Sequence, residues 1–382
     1  MTTCDVLIIG AGSVGVPLAW YCAQAGLKTI VIEQEASWGR GQNRAAIGGV
    51  RATHSDPGKI KICQESINII KDLQFGRGID LEWHSGGYLF VAYDEEREQA
   101  FRKLLLTQKK AGLNIDWIEP ERISQLAPGV RMNGLRGGTY SPEDGYCSPL
   151  MTNTALHRLA RQAGAEFRFG ERVLSMTLEG DRISMVRTDQ EEYAAGRVVN
   201  AAGATAAELA SMVNLEIPVH PDAHEAGVTD PVERFMEPML VDITPDQESG
   251  NYYFYQAETG QIVFCITPKP QIWERDCDNT SSFLPLVLRR MTRLYPRLAN
   301  LRVRRTWRGL YPMTPDGLPI IAEPEGISNL LLTVGMCGQG FMLGPGLGKL
   351  LAQRLAGSGK EHQDLLDEFT LYRKFEGMEL LK

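Results

Sequence analysis

The chain has 382 residues, of which 43% are hydrophobic and 23% charged, with a formal net charge of −7 and a pI of about 5.6. These values exclude a disordered or fibrous protein, and an acidic chain whose longest basic run is Lys109-Lys110 has no positive surface for nucleic acid. The length predicts two domains, or one domain with a large insertion.

The cysteine pattern and the hydropathy indicate the cellular setting. Seven cysteines are scattered without C-x-x-C spacing, so we expect no disulfide framework, no metal site and a cytoplasmic location. The chain opens on a strand-like sequence rather than a signal peptide. Residues 330–348 carry no charge, but six glycines and a proline make a membrane helix improbable there. We therefore expect no transmembrane segment.

Hydrophobic periodicity and glycine or proline signals predict alternating strands and helices. The predicted strands are 6–9, 29–32, 86–92, 172–178, 198–203, 252–256, 261–267 and 330–334. The predicted helices are 14–25, 56–75, 94–112, 150–163, 282–294 and 345–354. The glycine-rich segment 335–348 is predicted as a loop that overlaps the start of the last helix. The first three elements form a β-α-β unit, which is typical of a doubly wound parallel sheet, whereas 252–267 reads as an antiparallel hairpin.

The first turn has the spacing of a dinucleotide-binding motif. Gly10, Gly12 and Gly15 follow a strand and precede a helix. In this pattern the glycines give a tight turn, close approach to a pyrophosphate and close helix packing. Glu33 ends the second strand, where a carboxylate accepts hydrogen bonds from a ribose and disfavours a 2′-phosphate. NADP is therefore disfavoured, and the choice lies between NAD and FAD.

Later glycine-rich strand ends favour FAD. Gly203 and Gly335 each follow a predicted strand, far along the chain from the first turn. An extended FAD that lies along the sheet requires contacts from such distant segments, which NAD alone does not explain.

Several longer stretches carry a family resemblance. Residues 37–51, 141–146, 198–203, 307–321 and 338–345 resemble FAD-dependent amino-acid oxidoreductases of the D-amino acid oxidase superfamily, nearly end to end. Residues 84–91, 251–256 and 375–377 are most similar to the catalytic β subunits of heteromeric L-proline dehydrogenase and sarcosine oxidase.

The resemblance implies an α/β fold in which a Rossmann-like FAD-binding domain carries an inserted antiparallel-sheet (α+β) substrate domain. The FAD-binding domain would comprise residues 1–85, 145–217 and 305–382. The substrate domain would comprise residues 86–144 and 218–304.

The resemblance also implies which residues bind FAD. Residue by residue, the family's contacts fall on Gly10, Gly12, Gly15, Glu33, Arg40, Arg44, Val173, Gly203, Gly338, Gln339, Gly340, Phe341 and Met342. The last five match a loop whose amides face the flavin pyrimidine, where amides at a helix start stabilise negative charge on the reduced ring.

Four residues are candidates for contact with substrate. Arg51 matches the position that binds the substrate carboxylate in monomeric sarcosine oxidases, and its planar guanidinium suits a carboxylate. Tyr253 and Tyr255 share one face of a strand and resemble tyrosines of the family's substrate site. His54 is a candidate base or flavin contact. For each residue a purely structural role is the competing interpretation.

Three family features are changed in this chain. Tyr311 stands where many glycine oxidase-like enzymes have arginine, and no lysine lies near Met342, where sarcosine oxidases have one. Residues 149–151 contain no histidine for covalent FMN attachment. These differences argue against a glycine oxidase and against a fast oxidase, and we expect FAD to be bound non-covalently.

We therefore expect an FAD-dependent enzyme that oxidises a small or secondary α-amino acid, such as proline, sarcosine, hydroxyproline or an opine, to an imine by hydride transfer to flavin N5. The alternative is a flavoprotein subunit for assembly and electron relay, inactive alone in a larger dehydrogenase. The expected partner is the amino-acid substrate, and the resemblance to β subunits adds a second, electron-accepting subunit as a candidate partner. An NAD-dependent dehydrogenase would leave the flavin-type loop unexplained.

Overall fold

A computed structural model describes residues 1–357, 366–377, 379 and 381. The strands of these residues are β1 (Thr2–Ile9), β2 (Thr29–Glu33), β3 (Gly49–Val50), β4 (Tyr88–Ala92), β5 (Asp116–Ile118), β6 (Gly137–Ser141), β7 (Gly145–Tyr146), β8 (Glu166–Phe169), β9 (Val173–Glu179), β10 (Arg182–Thr188), β11 (Glu192–Asn200), β12 (His220–Thr229), β13 (Met239–Asp242), β14 (Ser249–Gln256), β15 (Ile262–Pro268), β16 (Val303–Met313), β17 (Ile320–Ala322) and β18 (Leu330–Val334). The α-helices are α1 (Gly15–Gln24), α2 (Pro57–Lys71), α3 (Glu95–Lys110), α4 (Pro120–Leu126), α5 (Pro149–Gln162), α6 (Ala206–Ser211), α7 (Phe283–Leu294) and α8 (Gly340–Leu355).

The first sheet has a parallel centre and carries α1, α2, α5 and α8 on one face. Its strands run in the order β17-β18-β11-β1-β2-β8, with β9 and β10 attached through β11. The β1 side chains alternate between the two faces, because successive residues of a strand point in opposite directions. Val6 and Ile8 pack in the core that includes residues of α1, α2, α5 and α8, whereas Leu7 and Ile9 pack in the core beside β9, β10 and α6.

The second sheet has the order β16-β12-β15-β14-β13-β4-β6-β5. The predicted hairpin is confirmed, since β14 and β15 pair antiparallel. One pairing departs from the expected antiparallel sheet, because β13 runs parallel to β4. The predicted domain boundary at residue 304 falls inside β16, which pairs with β12 along nearly its whole length.

The predicted helix over 345–354 begins five residues earlier, at Gly340, so the predicted loop over 335–348 is correct only as far as Gln339. Glycine and proline normally disfavour a helix, and α8 contains Gly344, Gly348 and Pro345. A Cβ atom at Gly344 would overlap the carbonyl oxygen of Ser13, and one at Gly348 would meet the N-terminal part of α1. The glycines therefore permit α8 to pack closely on α1, and this packing outweighs their low helix propensity.

Candidate active site

A cavity of about 470 Å³ lies between the two sheets. The first sheet and its loops contribute the turn after β1, the 40–49 loop, the strand end at 201–205 and the 335–342 segment. The second sheet contributes side chains from β12, β14, β15 and β16. The predicted binding segments, which are far apart in sequence, therefore meet at one site.

The turn after β1 shows why its three glycines are needed. Gly10 has a φ of +113°, and a Cβ atom there would lie 2.5 Å from the carbonyl oxygen of Ala201. A Cβ atom at Gly15 would overlap the carbonyl oxygen of Gly10. Gly12 has no neighbour within 4 Å of such an atom and lines the cavity. Gly10 and Gly15 thus fold the turn, and Gly12 leaves space above it.

The Glu33 carboxylate holds this turn in place. Its Oε2 accepts a hydrogen bond from the Ala11 amide at 2.8 Å, and its Oε1 accepts one from the Glu35 amide at 3.0 Å. Burial raises the pKa of Glu33, although the two amide bonds act in the opposite direction. Each carboxylate oxygen has two lone pairs, so Glu33 retains acceptor capacity toward the cavity, which it lines.

The remaining residues predicted to lie along the cofactor all line the cavity. Arg40 and Arg44 are exposed residues of the 40–49 loop, and Val173 is buried at the start of β9. Gly203 has a φ of +56°, and a Cβ atom there would overlap the side-chain oxygen of Gln42. The structure brings these residues together with the glycine turn.

The segment before α8 has an unusual backbone. Cys337 and Gly338 have φ angles of +51° and +80°, and α8 begins two residues later at Gly340. A Cβ atom at Gly338 would overlap the Tyr311 ring, so glycine permits the close approach of β16. The first amides of a helix have no partner within it, and Gly340 and Phe341, the first two residues of α8, line the cavity.

Tyr253 and Tyr311 form a pair in the opposite wall. Their hydroxyl oxygens lie 2.9 Å apart, and both residues line the cavity. Burial raises the pKa of both phenols well above the usual value, so both are protonated near neutral pH. Tyr255 shares the strand face but lies outside the cavity, where it donates to the Ile47 carbonyl at 2.6 Å and stacks on Tyr146.

His224 is a cavity residue that the sequence analysis missed. Its ring stacks on Tyr311 with the centroids 3.9 Å apart and the planes 15° apart. Its Nε2 lies 3.0 Å from Oδ2 of Asp222, and both side chains are buried. Asp222 and His224 are two residues apart on β12 and therefore share one face of the strand. Two polar residues at this spacing form no recognisable motif. Only the pairing of β12 with β16 places them beside Tyr311.

Arg51 also lines the cavity and is buried. It donates through Nη1 to the Thr53 carbonyl and to Nδ1 of His54, and through Nη2 to the Leu381 carbonyl at 2.9 Å. Because arginine only donates, Nδ1 of His54 is an acceptor, and its Nε2 faces the Cys63 sulfur at 3.3 Å. His54 lies behind Arg51, outside the cavity.

The fold and the cavity agree with a family match that covers most of the chain. Residues 5–354 match the family described as FAD dependent oxidoreductase. The chain belongs to this family. FAD is therefore the cofactor for which the residues of the cavity must be considered.

This FAD-dependent oxidoreductase is similar to several characterised proteins. It is 27% identical to mitochondrial dimethylglycine dehydrogenase of Homo sapiens over 91% of this chain and 42% of that protein, so it spans less than half of that relative. It is 25% identical to glycine oxidase of Bacillus licheniformis over 93% of both chains. The structure of L-proline dehydrogenase from P. horikoshii superposes with a TM-score of 0.90 at 28% identity, covering 97% of both chains.

The residues present fit FAD. Among the described residues, the side-chain oxygens of Asn43, Thr333 and Gln339 are buried without a hydrogen-bond partner, and all three residues line the cavity. Buried polar atoms are rarely left unsatisfied, so their position indicates a polar ligand. The glycine turn and Glu33 would hold the adenosine and pyrophosphate, and the α8 amides would hold the flavin.

Within the described part of the chain, no group of three or more histidine, cysteine, aspartate or glutamate residues is arranged to hold a metal ion. None of the described helices combines the length and the apolar character needed to cross a membrane.

Proposed function

We propose that this oxidoreductase oxidises a small or secondary α-amino acid to an imine. The observation that carries the proposal is that Arg51 lines the same cavity as the contacting residues Tyr253, Tyr311 and His224, where the Tyr311 ring lies against Gly338 of the segment before α8. The cavity wall thus combines a fixed positive charge, neutral hydroxyl groups and an imidazole. The three relatives compared above have names that specify dimethylglycine, glycine and L-proline.

Arg51 binds the substrate carboxylate in this proposal. Two of its donor groups are used by backbone carbonyls and one by His54, which leaves Nε and one Nη2 hydrogen available. Those two hydrogens lie on one edge of the guanidinium and can bind a carboxylate in a fork. His54 is then a positioning residue, because its ring nitrogen fixes the guanidinium plane from behind.

The tyrosine pair orients the amine. Its two hydroxyls share one hydrogen bond, so at least one oxygen keeps a lone pair that can accept from a substrate N–H. When bound, FAD would supply the hydride acceptor for oxidation of the substrate α-carbon to the imine. The amine must be neutral for this oxidation, and the His224 imidazole, which stacks on Tyr311, is the base that accepts its proton in this proposal.

The proposal is tested by the visible spectrum of the FAD-loaded protein under anaerobic conditions. L-proline, sarcosine, D-hydroxyproline, glycine and opines are added in turn. Bleaching of the flavin by at least one of them is the expected result. A flavin that none of them reduces, although dithionite reduces it, would contradict the proposal.

The identity of the electron acceptor is a separate question. The resemblance to β subunits that work with an electron-accepting partner is the reason to expect a second subunit, with this chain as the catalytic one. Admitting air after substrate reduction tests this: rapid return of the flavin spectrum indicates an oxidase, whereas persistence of the reduced flavin favours a separate acceptor. Substrate reduction of the isolated chain would contradict the alternative in which the chain serves only assembly and electron relay.

A further inference from the structure

A buried ion pair lies close in sequence to Leu381, whose carbonyl binds Arg51. The pair has no part in the chemistry proposed above. Lys59, in the first turn of α2, pairs with Glu379, and both side chains are fully buried. The other oxygen of Glu379 accepts from the Ser55 amide at 2.9 Å and from the Ser55 hydroxyl at 2.5 Å. Burial alone would raise the pKa of Glu379, but the Lys59 cation reverses this effect and lowers it, so the carboxylate stays ionised.

Leu381, two residues beyond Glu379, belongs to the wall of the cavity. Its side chain is buried with Tyr88, Phe90 and Met239 in one apolar cluster, and it lines the cavity. Its carbonyl accepts from Nη2 of Arg51. Leu381 therefore limits the space beside Arg51 and also occupies one of its donors.

The ion pair explains how this wall is held. Two charges in a buried position are stable only if paired and hydrogen-bonded, and Glu379 meets both conditions through Lys59 and Ser55. Loss of the Glu379 charge would leave Lys59 uncompensated, which disfavours the docked position of Glu379 and Leu381.

We propose that Glu379 is a positioning residue which, through Lys59, fixes Leu381 as the wall that sets the size of substrate accepted beside Arg51. The inference rests on the proposed function only for the nature of the ligand. The anchoring of Leu381 is a property of this chain whatever the cavity binds.

Thiol accessibility tests the anchor without catalysis. In an FAD-loaded Cys277→Ser background, which removes the one exposed cysteine of the described residues, Leu381→Cys introduces a thiol at the wall. We expect Glu379→Gln to accelerate the reaction of this thiol with an aromatic disulfide reagent at least ~10-fold. The free-energy cost of an unpaired buried charge is larger than the free energy that corresponds to a tenfold change in rate. The matched control is Glu376→Gln, an exposed carboxylate three residues earlier, which should leave the rate unchanged. Equal rates with and without the Glu379 charge would overturn the anchor.

Ligand size tests the wall. Binding of pyrrole-2-carboxylate and of the larger indole-2-carboxylate is followed by perturbation of the flavin spectrum, which needs no turnover. We expect the wild type to prefer the smaller acid, and Leu381→Ala and Glu379→Gln each to shift the ratio of the two dissociation constants ~10-fold toward the larger acid. General destabilisation would weaken both acids equally and leave this ratio unchanged, which would overturn the role in size selection.

The two tests separate the possible failures. If neither acid perturbs the wild-type spectrum, carboxylate binding beside Arg51 is wrong and the proposed function fails, while the thiol rates still decide the anchor. Lys59→Met combined with Glu379→Gln removes both charges and guards against misfolding. This double variant should recover stability relative to Glu379→Gln and return the thiol rate toward the wild-type value, because no uncompensated charge remains; a thiol rate that stays at the Glu379→Gln value would overturn the role of the Lys59 charge.

Discussion

The hydroxyl oxygens of Tyr253 and Tyr311 lie 2.9 Å apart across two strands of the second sheet, in the wall of the cavity. Tyr255, on the same strand and the same face as Tyr253, directs its hydroxyl to the Ile47 carbonyl instead. The three tyrosines therefore allow a direct comparison between hydroxyls inside and outside the cavity.

Removal of a cavity hydroxyl should slow the reaction. We expect Tyr311→Phe to lower the rate of anaerobic flavin reduction by ~10²-fold, the lower end of the range for groups that assist proton transfer. Stopped-flow absorbance measures this rate. Tyr255→Phe is the matched control and should change it less than ~2-fold, since its hydrogen bond is structural. A control that slows the reaction as much as Tyr311→Phe would contradict this assignment of the site.

Removal of the Arg51 charge should weaken substrate binding. We expect Arg51→Met to raise the apparent KM ~10²-fold, or about 3 kcal/mol for a lost charge-assisted contact, while FAD stays bound. Steady-state kinetics with the substrate identified by flavin bleaching provide the measurement. Arg168→Met, at an exposed position of β8, is the control and should behave as the wild type. Unchanged KM in Arg51→Met would remove Arg51 as the carboxylate anchor.

Glu33 should matter for the cofactor rather than for the substrate. Because Glu33 both fixes the Ala11 amide and retains acceptor capacity, Glu33→Ala should weaken FAD binding by at least ~10-fold. Flavin fluorescence on dilution measures the affinity. The substrate preference of the FAD-saturated variant should be that of the wild type. An FAD affinity equal to the wild-type value would argue against the predicted ribose contact.

His54 should make stability depend on pH. Burial first, and then the Arg51 cation, lower its pKa well below the usual value, so His54 is uncharged when folded. The unfolded chain binds a proton near pH 6.5, so below that pH the unfolded state holds more protons and the free energy of unfolding falls, by up to about 1.4 kcal/mol per pH unit.

Denaturant unfolding of the FAD-saturated protein at pH 7, 6 and 5 measures this slope. His54→Gln should lose this contribution and become relatively more stable as the pH falls. His220→Gln, which alters an exposed imidazole, should retain the wild-type slope. Parallel pH curves for the wild type and His54→Gln would contradict the prediction.

Local features of the fold could be predicted from the sequence. The glycine turn, Glu33 and the hairpin of β14 and β15 each depend on residues close together in the chain, and the structure contains all three elements. The start of α8 could not be predicted, because Gly344 and Gly348 are explained only by contacts with Ser13 and with α1, more than 300 residues earlier.

The substrate side of the site depends on long-range pairing. Tyr253 and Tyr255 have the same strand periodicity, so no sequence rule separates the one that lines the cavity from the one that packs on Tyr146. His224 meets Tyr311 only because β12 pairs with β16, about 85 residues later, in a register that the sequence does not reveal.

The most direct test of the central claim compares one amine with and without its carboxylate. Anaerobic FAD-loaded protein is mixed with L-proline or with pyrrolidine, and flavin absorbance is followed. If the substrate found by bleaching is another amino acid, that acid and its decarboxylated amine take their place. We predict that the amino acid reduces the flavin and that the amine does so at least ~10²-fold less efficiently, because it cannot bind Arg51. Equal reduction by both, or reduction by neither, would contradict the proposed amino-acid oxidation.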